Sequence, residues 1–197
     1  MSKLKIYTFP DLVLKQKATP IGRVEKNHQS LAENMLETMY DAPGIGLAAN
    51  QVGILDRIIV VDTHYEPEDP QDFERDDEEM EEPVLGEVVG TDPIARKRDP
   101  IILINPVIIH REGSIVWSEG CLSVPEYTAD VKRSEKIKIE YQDLDGLKKT
   151  LSAEGLQAVC LQHEIDHLDG KLYIDRISPL KRELIQKKLI KQRKQEE

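Results

Sequence analysis

The residues best suited to chemistry lie in the run His163-Glu164-Ile165-Asp166-His167. On a helix, positions four apart stack on one face about 6 Å apart, so both imidazoles can bind one metal ion. Glu164 follows the first histidine, where its carboxylate can reach a water on that ion. The plainer reading is a chance occurrence on a polar helix face. The neighbours weaken it: Leu156, Val159 and Leu161 make the rest of the helix apolar, and such a helix seldom buries two histidines without a partner.

Two histidines leave a metal short of ligands, because a catalytic site takes three from the protein and keeps one position open. Cys160 shares the face but lies too far from His167. Seven residues are about 10.5 Å of helix rise, against roughly 3.5 Å between ligands of one tetrahedral ion. Cys160 therefore reads as a small buried hydrophobe. The pattern His163-Glu164-x-x-His167-x-x-Gly170 resembles the metzincin peptidases, but their third histidine would fall at Tyr173. Thermolysin-like peptidases take a glutamate downstream, about twenty residues on, where Lys187 stands. The remaining soft ligand is Cys121, in Glu119-Gly120-Cys121-Leu122-Ser123. The glycine before it permits close backbone approach, and a thiolate is a strong donor to a divalent ion. Metal ligand and buried structural thiol are equally good readings of this segment alone.

These residues need elements to hold them. Residues 153–168 have a helical pattern ending at Asp169-Gly170, a C-terminal stop. Leu31, Met35 and Met39 recur at helical spacing, so 27–40 reads as an amphipathic helix that stops before Asp41-Ala42-Pro43-Gly44. A short helix is expected over 11–16. Residues 57–62, 101–110, 114–117, 136–141 and 147–151 read as strands, with Asp145-Gly146 as a hairpin turn. Ser178-Pro179 opens a last helix, serine as its cap and proline in its first position. Leu180, Leu184, Ile185, Leu189 and Ile190 give that helix an apolar stripe, and seven Lys or Arg lie between Lys181 and Lys194. His28, His64 and His110 fit no ligand spacing and are expected at the surface.

The chain of 197 residues is long enough to bury a full core. Its formal charge of −10 is concentrated between Glu66 and Glu82, where eleven acidic residues face one base, Arg75, so the rest is balanced. With five prolines, 64–100 cannot bury enough apolar surface to offset its ordering entropy, and reads as an acidic loop inserted between two strands. The low isoelectric point thus belongs to one segment and says little about partners of the folded body. Two cysteines cannot build a disulfide framework, and no apolar run has the length of a signal peptide or a membrane span. A cytoplasmic protein without membrane contacts is expected, with no reason to invoke DNA.

Three segments together resemble the peptide deformylase family: Gly44-Ile45-Gly46-Leu47-Ala48-Ala49-Asn50-Gln51, then Glu119-Gly120-Cys121-Leu122-Ser123, then Gln162-His163-Glu164-Ile165-Asp166-His167. The similarity runs to about Arg176, excluding the acidic loop and the last helix. It implies a catalytic domain over 1–176, with the inserted loop 64–100, and a basic amphipathic helix over 177–197. The implied fold is α+β, with antiparallel sheets wrapped around the helix that carries the histidines. Cys121, His163 and His167 would hold the metal, usually Fe²⁺ in the family, with Zn, Ni or Co able to substitute. The implied reaction removes the formyl group from N-formylmethionyl nascent peptides and releases formate. A metal-bound water attacks the formyl carbon, and Glu164 takes and returns the proton. Gln51 and the Leu122 N–H would stabilise the oxyanion, while Gly44, Ile45 and Gly46 would pair with the peptide backbone.

Similar tails suggest that the last helix could meet the ribosome near the exit tunnel; a helix packed on the body explains its pattern equally well. Many relatives carry an arginine seven residues after the ligand cysteine, and here that position is Thr128. Glu119 and Arg133 can pair to steady the cysteine loop. The rival readings are a zinc peptidase, disfavoured by Tyr173 and Lys187, and a binding-only relative, disfavoured because no catalytic residue is missing.

Overall fold

The computed structural model describes residues 3–64 and 98–196. The expected acidic loop over 64–100 therefore lies, apart from its two ends, outside the described residues. In chain order the elements are α1 (Lys26–Asp41), β1 (Gly46–Ala48), β2 (Ile58–Val61), β3 (Ile101–Glu112), β4 (Ile115–Cys121) and β5 (Val124–Arg133), then β6 (Lys136–Gln142), β7 (Lys148–Glu154), α2 (Gly155–Leu168) and α3 (Pro179–Glu196). Single 3-10 turns occupy Leu12–Lys15, Ala49–Val52 and Tyr173–Arg176.

One antiparallel sheet runs in the order β1-β2-β3-β6-β7, and β4-β5 form a second, two-stranded sheet. Strand β2 is buried on both faces, and its alternation assigns each residue to a layer. Ile59 and Val61 point to one side with Leu103, Ile137 and Ile139, where Ala158, Leu161, Ile165 and Leu168 of α2 cover them. Ile58 and Val60 point to the other, onto Ala32, Met35 and Met39 of α1. A third cluster under β5 joins Val124 and Val131 to Tyr173, Ile174 and Leu189. Helix α2 thus lies sandwiched, with Ala158 through Leu168 all buried. The α+β arrangement of antiparallel sheets about this helix is the one expected.

Several boundaries differ from the expectations. Residues 153 and 154 finish β7, where Lys136 pairs with Glu154 and Ile137 with Ala153, and the helix starts only at Gly155 with φ +57°. Strand β5 had no periodic signal: it is rich in charge, half-exposed, and pairs only with β4. The expected helix over 11–16 is one 3-10 turn after Pro10. The hairpin turn is as read, with the Gly146 N–H donating to Asp143 O at 3.0 Å.

His28 is not a surface residue. Its side chain is 12% exposed, and Nδ1 accepts the Glu25 N–H at 2.9 Å, closing the start of α1. His64 and His110 are exposed as expected. Ser178 does cap α3, its Oγ accepting the Lys181 N–H at 3.4 Å. Only part of the α3 stripe is used: Leu189 is buried and Ile185 packs beside it, whereas Leu180 and Leu184 stay exposed. Arg193 ties the far end of α3 to Asp11, with Nη1 at 3.0 Å from Oδ2.

Candidate metal centre

The two histidines lie on the cavity side of α2, and the β4–β5 turn brings Cys121 to them. His167 Nε2 is 3.2 Å from Cys121 Sγ and 3.3 Å from His163 Nε2. One sulfur and two imidazole nitrogens all lie within 4.8 Å of one another, and no other such group of three occurs among the described residues. The donor set suits a soft or borderline divalent ion. Cys160 stands apart, with Sγ against the Ile45 carbonyl at 3.6 Å, and burial pushes its thiol well up. It is the buried small residue the helix rise requires.

Around this group the polar contacts are of unequal completeness. His163 Nδ1 rests on Glu119 Oε2 at 2.7 Å, which leaves Nε2 for the cavity. Glu119 in turn takes Arg133 in a two-pronged pair, Nε to Oε1 at 2.6 Å and Nη2 to Oε2 at 2.8 Å. Burial works against the Glu119 charge, but the hydrogen bonds from Arg133 and His163 outweigh it and hold the carboxyl down at about 2. Arg133 continues to Asp166, which also accepts Arg176. The expected Glu119–Arg133 pair is therefore one link of a longer buried chain. Its members Asp166 and Arg176 carried no sequence signal, because the partner of a charge is chosen by tertiary packing.

Glu164 is different. Burial raises its carboxyl to about 7, and Oε2 has no hydrogen-bond partner. Gly46 faces it so closely that a Cβ there would stand 2.5 Å from Glu164 Oε1 and 2.8 Å from Cys160 Sγ. Gln51 sits in the Ala49–Val52 turn with Oε1 accepting the Ala48 N–H at 2.8 Å. That bond orients the amide and sends Nε2 toward Ser123 Oγ at 3.2 Å and Cys121 Sγ at 3.7 Å. Ser123 was not singled out from the sequence, although it follows the cysteine by two.

A cavity of about 680 Å³ opens over these groups, lined by Gly44, Ile45, Gly46, Cys121, Leu122 and Glu164. Its apolar part includes Leu156 and Val159 of α2. Strand β1 is the edge of the larger sheet, and among the described residues its outer side has no strand partner. Thr128 lies on the cavity rim.

A sequence profile described as polypeptide deformylase matches residues 3–183. The chain belongs to the polypeptide deformylase family. It is 44% identical over 197 residues to peptide deformylase 2 of Xanthomonas campestris pv. campestris, covering 98% of both chains. It is 45% identical over 188 residues to the peptide deformylase of Thermodesulfovibrio yellowstonii, covering 95% of this chain and 97% of that one. Among solved structures, the Legionella pneumophila deformylase matches with a TM-score of 0.77 at 34% identity, over 99% of this chain and 98% of that chain. The Ehrlichia chaffeensis deformylase in complex with actinonin matches with a TM-score of 0.78 at 33% identity, over 98% of each. Deformylases are metalloenzymes, and a cluster of one partly buried thiol and two buried imidazoles is in keeping with that. No helix among the described residues is long and apolar enough to cross a membrane.

Proposed function

We propose that this deformylase removes the formyl group from N-formylmethionyl nascent peptides at the Cys121–His163–His167 group, with Fe²⁺ as the resident ion and Zn, Ni or Co able to replace it. The observation that carries the reading is Glu164, which lines the same cavity as Cys121 and His163 with its Oε2 buried and without a partner, next to the edge strand β1. An ion held by Cys121 Sγ and the two Nε2 atoms would act as a Lewis acid, acidifying the attacking water and polarising the formyl oxygen. Glu164 then takes a proton from that water and delivers it to the leaving amine nitrogen. Its apolar surroundings hold the carboxyl near neutrality, which suits a group that must both accept and return a proton.

Gln51 Nε2 and the Leu122 N–H supply donors to the oxyanion. The Gln51 amide is held by Ala48 before substrate arrives, so no reorientation is needed at the moment of reaction. Gly44, Ile45 and Gly46 pair with the peptide backbone along the outer side of β1, while the apolar part of the cavity takes the methionine side chain. Thr128 at the rim, in place of arginine, weakens the hold on the peptide beyond methionine. We assign 1–176 to the catalytic unit and 177–197 to a basic helix that packs on the body through Leu189 and Arg193 and offers its solvated basic face as a contact for the ribosome near the exit tunnel. We place the enzyme in the cytoplasm, where its substrates are made.

The test is formate release from a short N-formylmethionyl peptide by anaerobically purified, Fe²⁺-loaded protein. Formate with intact peptide bonds supports the reading. Peptide-bond cleavage, or no formate at one metal per chain, overturns it.

A further inference from the structure

His163 and His167 present the same nitrogen to the proposed metal group but are supported differently. His163 Nδ1 has Glu119 as its partner, whereas His167 Nδ1 is buried with no hydrogen-bond partner. When Nε2 of His167 gives its lone pair to an ion, Nδ1 must carry the ring proton. A buried N–H without an acceptor is costly, and such atoms normally find one.

The complementary atom lies on Asn50. This side chain is 1% exposed and donates both amide hydrogens, to the His167 carbonyl at 2.5 Å and to the Gln16 carbonyl at 3.0 Å. Both partners are carbonyl oxygens that can only accept, so the amide cannot be turned over. Its oxygen Oδ1 is thereby fixed as the outward atom, and it is buried without a partner. An orphaned acceptor and an orphaned donor thus belong to two residues already joined by a hydrogen bond. One backbone step away, Gln51 shares the same Ala49–Val52 turn.

We infer that Asn50 is a positioning residue for the metal ligand His167: its Oδ1 accepts the Nδ1–H of His167 through one buried water, while its NH₂ pins the Gln51 turn to the end of α2. The contact locks the tautomer in which Nε2 faces Cys121 and His163. It does for His167 what Glu119 does for His163, with a neutral acceptor in place of a carboxylate. The inference rests on His167 being a metal ligand, as proposed above.

The test uses full-length protein loaded with diamagnetic Zn²⁺. Metal content is measured first: a wild type that binds no zinc overturns the metal site itself. In the one-zinc wild type, long-range ¹H–¹⁵N spectra are expected to show a slowly exchanging His167 Hδ1 with an NOE to the Asn50 amide protons. Asn50→Leu is expected to lose that protected proton and release zinc roughly 10–100-fold more readily. Asn50→Asp keeps the Oδ1 acceptor but turns its second oxygen on the His167 and Gln16 carbonyls, so it is expected to lose thermal stability while keeping the protected proton. Absence of a protected Hδ1 in the zinc-bound wild type overturns the inference without any variant, so a failure of Asn50→Leu to fold leaves it decided. It is equally overturned if Asn50→Leu loses thermal stability while zinc release stays at the wild-type rate.

Discussion

Gly46 and Glu164 touch across the site so tightly that the position tolerates no side chain: a Cβ would stand 2.5 Å from the Glu164 carboxylate. Gly46→Ala must therefore displace the carboxylate, Cys160 or the first residue of β1 itself. A misplacement of about 1 Å costs on the order of 10²-fold in rate, and a loss of that size in kcat is expected from formate-release kinetics. Gly44→Ala comes tight only on Leu122 Cδ1 at 3.0 Å, the far end of a flexible side chain, with ordinary contacts to Met39 O at 3.4 Å and Cγ at 3.5 Å, and should lose far less. Equal losses in the two variants would contradict this ordering.

Removing the proton carrier separates binding from turnover. Glu164→Gln keeps the shape of the side chain, and the proposed ligand atoms Cys121 Sγ, His163 Nε2 and His167 Nε2 are untouched. Metal content by elemental analysis should stay at one per chain, while kcat falls roughly 10²–10⁴-fold. Substantial remaining activity would rule Glu164 out as the base.

Gln51→Ala removes a held donor, and with it the 3.7 Å contact to Cys121 Sγ, while leaving the three proposed ligand side chains in place. Loss of one such donor costs about 2.7–4 kcal/mol in the barrier, so kcat should drop on the order of 10²–10³-fold with little change in KM. A rise in KM at constant kcat would make Gln51 a ground-state binding residue instead.

Arg133 is the hub of the buried charges, with Glu119 on one side and Asp166 on the other. Arg133→Met leaves both carboxylates buried, although Asp166 keeps Arg176. Breaking one partner of such a network costs about 3–5 kcal/mol, read as a lower midpoint in urea denaturation. Arg176→Met, at a more exposed side chain, should cost less.

Asp143 gives the pH dependence a sign. Its carboxylate sits in the β6–β7 turn, and its pKa is lowered, chiefly by the Lys149 ammonium and then by the Leu147 N–H. A carboxyl lowered in the folded state adds stability above its unfolded pKa, and that stability is lost as pH falls through the folded value. Asp143→Asn should therefore flatten the acid side of a stability-against-pH curve. An unchanged acid limb in urea denaturation would remove the turn from the account.

How much of this was legible depends on distance along the chain. The pairing of His163 with His167 is a property of one helix, so spacing alone reports it. Cys121 is more than forty residues away, and no local rule separates a ligand thiol from a packed one; only the fold brings its Sγ to 3.2 Å from His167. Likewise β2 announced itself by a β-branched run buried on both faces, whereas β5, charged and paired on one side only, did not. His28 looked like a surface histidine because a cap is made with a neighbour's backbone, not with a patterned residue. The Asn50 and Asp166 contacts were invisible for the same reason as Cys121: their partners are set by how α2 lies against the rest.

The origin of the three proposed ligand atoms carries one last consequence. Cys121 comes from the two-stranded sheet, while His163 and His167 ride on the helix beneath the five-stranded one. Neither half holds a competent site, and the loop joining them must close before any ion can be captured. On that assignment, a chain that stops short of residue 167 lacks one of the three ligands and holds no complete set. Ion capture in turn cross-links the two halves, so bound metal doubles as a record that folding has finished.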